Sequence, residues 1–297
     1  MGSPHKTSWR QVHLRYAAAN LGLPLYVAYH APSISLRWET CVWTLIYAFM
    51  TGLSITAGYH RLWTHQAYKA CLPLRIVLAA LGAGALQLPI RVWAADHRAH
   101  HRFTDTDRDP YNAKRGLFYT HIGWILTYNS DRFGHQTEGV DLSDLDRDPV
   151  VVWQRRTYYP LAGLMGFLLP AAVAGTLWGD WQGGFLYAAC LRVVLVWHVS
   201  YCINSLAHWI GEQPHSTRNT ARDSALLAVV TLGEGYHNYH HAFPGDYRNG
   251  VRLTDLDVTK WWIWAWERVG LVWDVRRCTG WRTGGGGFWE RRVRAWF

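Results

Sequence analysis

Four apolar segments, each about as long as a bilayer's hydrocarbon core is thick, restrict this chain more than any other feature in it. They run roughly over 16–34, 40–59, 158–178 and 184–207. About 20 residues at 1.5 Å rise cross a membrane. In lipid, such a segment satisfies its own backbone only as a helix. The first is the weakest, with Asn20, Pro24 and His30 inside it. The connectors 35–39 and 179–183 are so short that the segments read as two hairpins. The pattern predicts an all-α integral membrane protein with four transmembrane helices, forming a single domain over 1–297. The 19 tryptophans fit, because Trp gathers where one end of a side chain is apolar and the other wet.

A fifth apolar stretch, 71–93, carries Arg75 and Arg91 near its ends and Gln87 and Pro89 late. It either spans the membrane or lies in the interface. Basic residues set the orientation. Of 30 Lys+Arg, three precede residue 16, 13 fall in 59–159 and 12 in 209–297. The positive-inside bias therefore puts both termini and the segments 60–157 and 208–297 on the cytoplasmic side. That requires an even number of spans, and four fits. The net charge of +9 comes without basic runs, which favours membrane lipid over nucleic acid as a partner. The N-terminal "MGSPHKTSWRQVHLR" has no apolar core and does not read as a signal peptide. Five cysteines without a CxxC pair read as small buried hydrophobes.

Nine of the 16 histidines lie in four clusters: His60 and His65 in "HRLWTH"; His97, His100 and His101 in "HRAHH"; His208 in "NSLAH"; and His237, His240 and His241 in "HNYHH". On a helix, residues three and four apart share a face, so each HxxHH can offer its imidazoles together. His60 and His65, five apart, stand about 140° apart on an ideal α-helix. They suit a helix end, with the second His swinging back. Every cluster sits at or just beyond the cytoplasmic end of a predicted span. All nine converge only if 71–93 does not cross, so we take that stretch as interfacial. Nine imidazoles exceed one metal's needs and suit two ions with four or five nitrogens each. Imidazole favours Fe, Zn, Cu or Ni over Mg or Ca. HExxH is absent. The residues alone thus point to a two-metal site beside a bilayer, open to lipid-soluble substrates.

"TAGYHRLWTH", "DHRAHHRFTDTDRDPYNAKRGLFYTHIGW", "NSLAHWIG" and "GEGYHNYHHAFPGDYRNG" resemble the histidine boxes of the membrane fatty acyl desaturases, most closely the Δ9, stearoyl-CoA-like group and its bacterial-type members. The likeness runs over about 40–275. It implies four transmembrane helices under a cytoplasmic helical cap that holds two iron ions. It also implies O2-dependent introduction of a double bond into a long acyl chain. By that resemblance one iron is held by His60, His65, His97, His101 and His240. The other is held by His100, His208, His237 and His241, with Asn204 reaching it through a water. Asp96, Asp109 and Glu234, beside the boxes, are candidate acceptors for the histidine N–H groups. The substrate is expected in an apolar tunnel lined by Ala48, Gly52, Thr56, Trp93 and Tyr201. Small residues at 48 and 52 leave room for a longer chain end.

One departure bears on the acyl carrier. Animal-type members carry Arg before the Asp of the second box and an Arg-Lys pair further on; here those positions are Ala95, Tyr128 and Asn129. Two usual polar partners are changed to Gln11 and Leu88. CoA phosphates call for Arg and Lys donors, so we expect acyl-CoA to be used poorly beside chains on acyl carrier protein or lipid esters. Arg91, Arg98, Lys114 and Arg115 are near enough in sequence to replace the clamp. "HPGG", the mark of a fused cytochrome b5, is absent, which implies a separate electron donor such as cytochrome b5 or ferredoxin with its reductase. The site is expected on the cytoplasmic face of a bacterial inner membrane or of the endoplasmic reticulum. A hydroxylase or acetylenase on the same scaffold is the alternative reading. A metal-binding or transport protein is a remote one, because a transporter places ionisable groups along its spans and these histidines sit at span ends.

Overall fold

The computed structural model describes residues 12–128 and 130–278. Nearly all ordered structure is helical: α1 (14–33), α2 (Trp38–Thr64), α3 (Leu72–Ala83), α4 (Ile90–Phe103), α5 (117–126), α6 (Ser130–Thr137), α7 (Ser143–Arg147), α8 (Pro149–Arg156), α9 (Tyr158–Trp178), α10 (Trp181–His208), α11 (Ala225–Val230), α12 (His237–Ala242) and α13 (Val258–Arg268). Among the described residues the one sheet is a two-residue antiparallel pair, β1 (Lys69–Ala70) with β2 (Val272–Trp273). It ties the last described segment to the end of α2.

Among the described residues three helices, α2, α9 and α10, are long and apolar enough to cross a membrane. The expected first span is helical, but it closes in a 3-10 turn at Ala31–Ser33 and falls outside that set. Its polar Asn20 is buried against α10, where Tyr201 donates to Asn20 Oδ1 at 2.6 Å. The stretch 71–93 yields α3, only 12 residues long. At about 18 Å that helix is well short of a ~30 Å hydrocarbon core. The chain then turns through 84–89 and restarts as α4.

The two short connectors lie at the same end of the bundle. Arg37 donates to the Trp178 carbonyl at 2.8 Å, and Trp178 Nε1 donates to Thr40 Oγ1 at 2.9 Å. Asp180 caps α10 by accepting from Gly183 N, and Gly179 takes the left-handed conformation that ends α9. Arg192, wholly buried in α10, carries no carboxylate partner among the described residues. Instead it donates to the carbonyls of Gly84 and Gly166, where α3 ends and α9 widens into a π-turn. At the opposite end of α2, a π-helical half, Ser54–Thr64, packs against α3, α4 and α13.

Candidate metal centre

The π-helical end of α2 determines where the first two histidines stand. Its last backbone hydrogen bond closes over five residues, His65 N donating to His60 O at 3.1 Å, and the Thr64 hydroxyl likewise reaches back to Tyr59 O at 2.8 Å. A wider turn stacks residues five apart, whereas α-helical geometry separates them by about 140°. The His60 and His65 ring centroids are consequently 4.8 Å apart. π-Turns of this kind gather at functional sites.

The two HxxHH motifs on α4 and α12 divide in opposite senses. On α4, His97 and His101, one turn apart, join His60, His65 and His240. On α12, His237 and His241, one turn apart, join His100 and His208. In each group the nearest ligand atoms lie within 4.8 Å of one another. The Nε2 atoms point inward: His60 to His240 at 2.9 Å, His240 to His101 at 3.0 Å and His101 to His97 at 3.1 Å. In the second group, His100 meets His241 at 3.2 Å, and His237 meets His208 and His241 at 3.1 Å.

Several of the opposite ring nitrogens are held by acceptors. His60 Nδ1 lies 3.1 Å from Glu234 and His100 Nδ1 lies 2.8 Å from Asp109. His208 Nδ1 lies 2.8 Å from Thr220 Oγ1. A histidine whose Nδ1–H is donated outward turns an Nε2 lone pair inward. His65 Nε2 is buried with no hydrogen-bond partner. Converging lone pairs cannot satisfy one another, and an orphaned imidazole nitrogen among them fits a metal ligand. The donor sets of five and four nitrogens therefore fit two metal ions.

Electrostatics favours neutral imidazoles. Burial, then the neighbouring rings, holds His65, His97, His101, His240 and His241 well below the usual histidine range, and His237 down to about 3. Burial alone would push the Glu234 carboxyl up, but Arg61 and His60 outweigh it and hold it at about 2. Arg61 donates to Glu234 at 2.6 Å and to both oxygens of Asp257 at 3.0 and 3.1 Å. Asp257 in turn caps α13 through Lys260 N. Arg61 and Asp257 escaped the sequence reading; the only signal was an Arg directly after His60.

Asp109 and Glu234 contact histidines, whereas Asp96 hydrogen-bonds Tyr128. Burial and that carboxylate push the Tyr128 phenol above its usual range. Ala95 is wholly buried. Gln11 and Asn129 lie outside the described residues. Of the four basic residues considered as a substitute clamp, Arg91 pairs with Asp146 and Arg98 forks onto Asp144 at 2.7 Å. Arg115 lies over the Tyr119 ring and Lys114 is exposed.

A cavity of about 1180 Å³ opens onto both groups, with His60, His97 and His237 in its wall. Ala48, Gly52, Thr56, Trp93 and Tyr201 all line it, as does Asn204, one turn before His208. Trp93 also stacks on His97 at 4.9 Å. Arg15, exposed, is on the same wall.

The fatty acid desaturase family model matches residues 36–273. Over 268 residues the chain is 48% identical to a protein named probable acyl-CoA desaturase in Schizosaccharomyces pombe, covering 90% of this chain and 55% of that one. It is 40% identical over 274 residues to acyl-CoA desaturase 1 of Saccharomyces cerevisiae, 91% of this chain and 53% of that one. It is 38% identical over 267 residues to a delta(9)-fatty-acid desaturase of Caenorhabditis elegans, 90% of this chain and 79% of that one. The chain thus spans about half the length of the two yeast relatives.

Proposed function

The chain belongs to the fatty acid desaturase family, and from that premise we propose that it is an O2-dependent acyl desaturase, Δ9-like, whose two histidine groups each hold an iron. The observation that carries this reading is the apolar cavity walled by histidines of both groups. At about 1180 Å³ it exceeds the ~300–1,000 Å³ of ordinary small-molecule pockets, and its wall follows α2 from Ala48 to His60, about 18 Å.

Bound by these two histidine groups, irons would supply the O2 chemistry needed to remove hydrogen from an unactivated methylene pair, with two electrons coming from a donor protein such as cytochrome b5 or ferredoxin. The chain does the rest. The apolar walls on α2 and α10 bind the alkyl chain and exclude water. Trp93, stacked on His97, lines the cavity beside the five-histidine group. Glu234 and Asp109 hold His60 and His100 with Nδ1 protonated and Nε2 free.

The relatives' names make acyl-CoA the first carrier to test. Arg91 and Arg98 are engaged with carboxylates, so they do not stand in for the lost clamp; exposed Arg15 on the cavity wall is the better placed cation. We place α1 as a fourth membrane helix beside α10, with the histidine end cytoplasmic, and residues 12–278 as one unit. The shared end of the two connectors supports this arrangement. So does α13, which exposes Trp261, Trp262 and Trp264 beside α2 as an interfacial helix would.

Expression in a desaturase-deficient host with lipid profiling tests the activity, and the expected product is a monounsaturated chain. A hydroxylated or acetylenic chain would move the assignment to the alternative chemistries. Elemental analysis should find about two irons per chain; one zinc and no iron would remove the diiron reading. Tags near residues 37 and 181 should label from outside and a tag near 140 from the cytoplasm.

A further inference from the structure

The turn after α4 contains two carboxylates that serve the same histidine group. Asp109 accepts from His100 Nδ1. Four residues earlier, Asp105 is buried and holds the left-handed conformation, φ 65°, which Asp tolerates better than most residues. Its own N–H donates to Asp109 Oδ2 at 2.9 Å, so the two acids are locked together. Asp105 does not touch a histidine. It reaches across to the segment after α10, accepting from Thr220 N at 2.7 Å and from Thr220 Oγ1 at 2.7 Å. Thr220 Oγ1 is 2.8 Å from His208 Nδ1.

The order of donors follows from chemistry. A carboxylate only accepts, so the Thr220 hydroxyl proton points at Asp105. The Thr220 oxygen then has lone pairs left for His208, and Nδ1 must carry the proton that meets them. His208 is thereby fixed as the tautomer whose Nε2 lone pair faces His237 and the rest of its group. We propose that Thr220 and Asp105 are positioning residues for the four-histidine metal, acting through a hydroxyl relay that holds His208 in its ligating tautomer. This rests on the two-iron reading above.

The test measures iron rather than turnover. The purified protein, reduced and mixed with an excess ferrous chelator, should release its two irons in two phases of similar amplitude. Thr220→Val keeps the shape and removes the hydroxyl. It should speed one phase by about tenfold or more, the range seen when ligand-orienting partners are removed. Thr220→Ser should restore the rate to within about twofold. Asp105→Asn, which keeps the left-handed turn but can present an N–H to Thr220, should fall between. In a His208→Ala background, Thr220→Val should add nothing. Release from Thr220→Val at the wild-type rate would overturn the relay. So would equal acceleration by Ser and Val, which would mean packing alone. A wild-type protein with one iron or none would instead overturn the two-iron reading, and the relay with it.

Discussion

The five-histidine and four-histidine groups draw on the same two helices, α4 and α12, yet their surroundings differ. Around the first, His60 leads to Glu234, Arg61 and Asp257, a buried ionic chain that also caps α13. Around the second, His100 leads to Asp109 and His208 to Thr220, with no arginine on Asp109 among the described contacts. One site is therefore anchored through charge to the α2–α13 packing, and the other through a turn and a hydroxyl. Loss of a partner should destabilise the fold at the first site and the metal alone at the second.

Acid should break both groups, and with the largest effect. Above the ordinary histidine pKa of 6.5 the folded and unfolded chains are both neutral at these rings. Below it the unfolded chain takes up protons that the buried rings refuse, as with His237, held down to about 3. Stability then falls as pH drops below 6.5, and the more such rings there are the steeper the fall. His97, His101, His240 and His241 are shifted the same way, and bound metal acts in the same direction. Glu234 is different. Its depressed pKa of about 2 gives a stabilisation complete above about 4.5 and lost only as pH falls towards 2. Melting temperature and iron content of the purified protein should therefore drop together between pH 6.5 and 5. A melting temperature level down to pH 5 would show that the rings are not held neutral by the fold.

Arg61→Met separates the groups next. It strands Glu234 and Asp257, both almost fully buried, at a cost of about 3–5 kcal/mol. The fluorescence-detected melting point of detergent-solubilised protein should fall sharply. The matching change in the second group, Asp109→Asn, should leave it within a few degrees. Equal losses from the two variants would erase the contrast between a charge-anchored and a turn-anchored site.

The histidines of this comparison were legible in the sequence; their surroundings were less so. Two HxxHH repeats at helical spacing gather six imidazoles, and His60, His65 and His208 stand at the ends of apolar segments, so nine ligand candidates followed from spacing and position together. Which member of each HxxHH goes to which group depends on how α4 and α12 cross, and only the family resemblance supplied it. Nothing in the sequence marks the π-turns that bring His65 edge-on to His60, where α-helical turns would hold the two about 140° apart. Arg61 with Asp257, and Asp105 with Thr220, are contacts across 196 and 115 residues, invisible to any local pattern. The apolar stretches marked α2, α9 and α10 well. The first span was the weakest reading, and it carries Asn20, whose partner Tyr201 lies 181 residues away.

Milder still are changes to the histidine supports themselves. Glu234→Gln should weaken iron retention at the first group, and Asp109→Asn at the second, each by about 10–100-fold. The two variants should act on different phases of iron release to a chelator. If both slow or speed the same phase, the assignment of carboxylates to groups is wrong.

The smallest effect should come from Gly52, which touches neither group. It lies eight residues before His60 on α2, about 12 Å along the helix, on the cavity wall. A Cβ added there meets no atom within 4 Å, so Gly52→Val projects two methyl groups into open cavity and leaves the helix packing alone. Iron content and both phases of release should stay at wild-type values. What should change is the chain accepted. Crowding of a long acyl chain at that point costs about 1–3 kcal/mol, so competition between acyl chains of graded length should shift towards the shorter by about tenfold. Because both groups share the cavity, a shift in chain preference with intact iron places Gly52 on the acyl path and away from the metals. Unchanged preference would mean that the chain leaves the cavity before reaching Gly52, and the path past His60, His97 and His237 would then have to run towards Tyr128 and Arg15 instead.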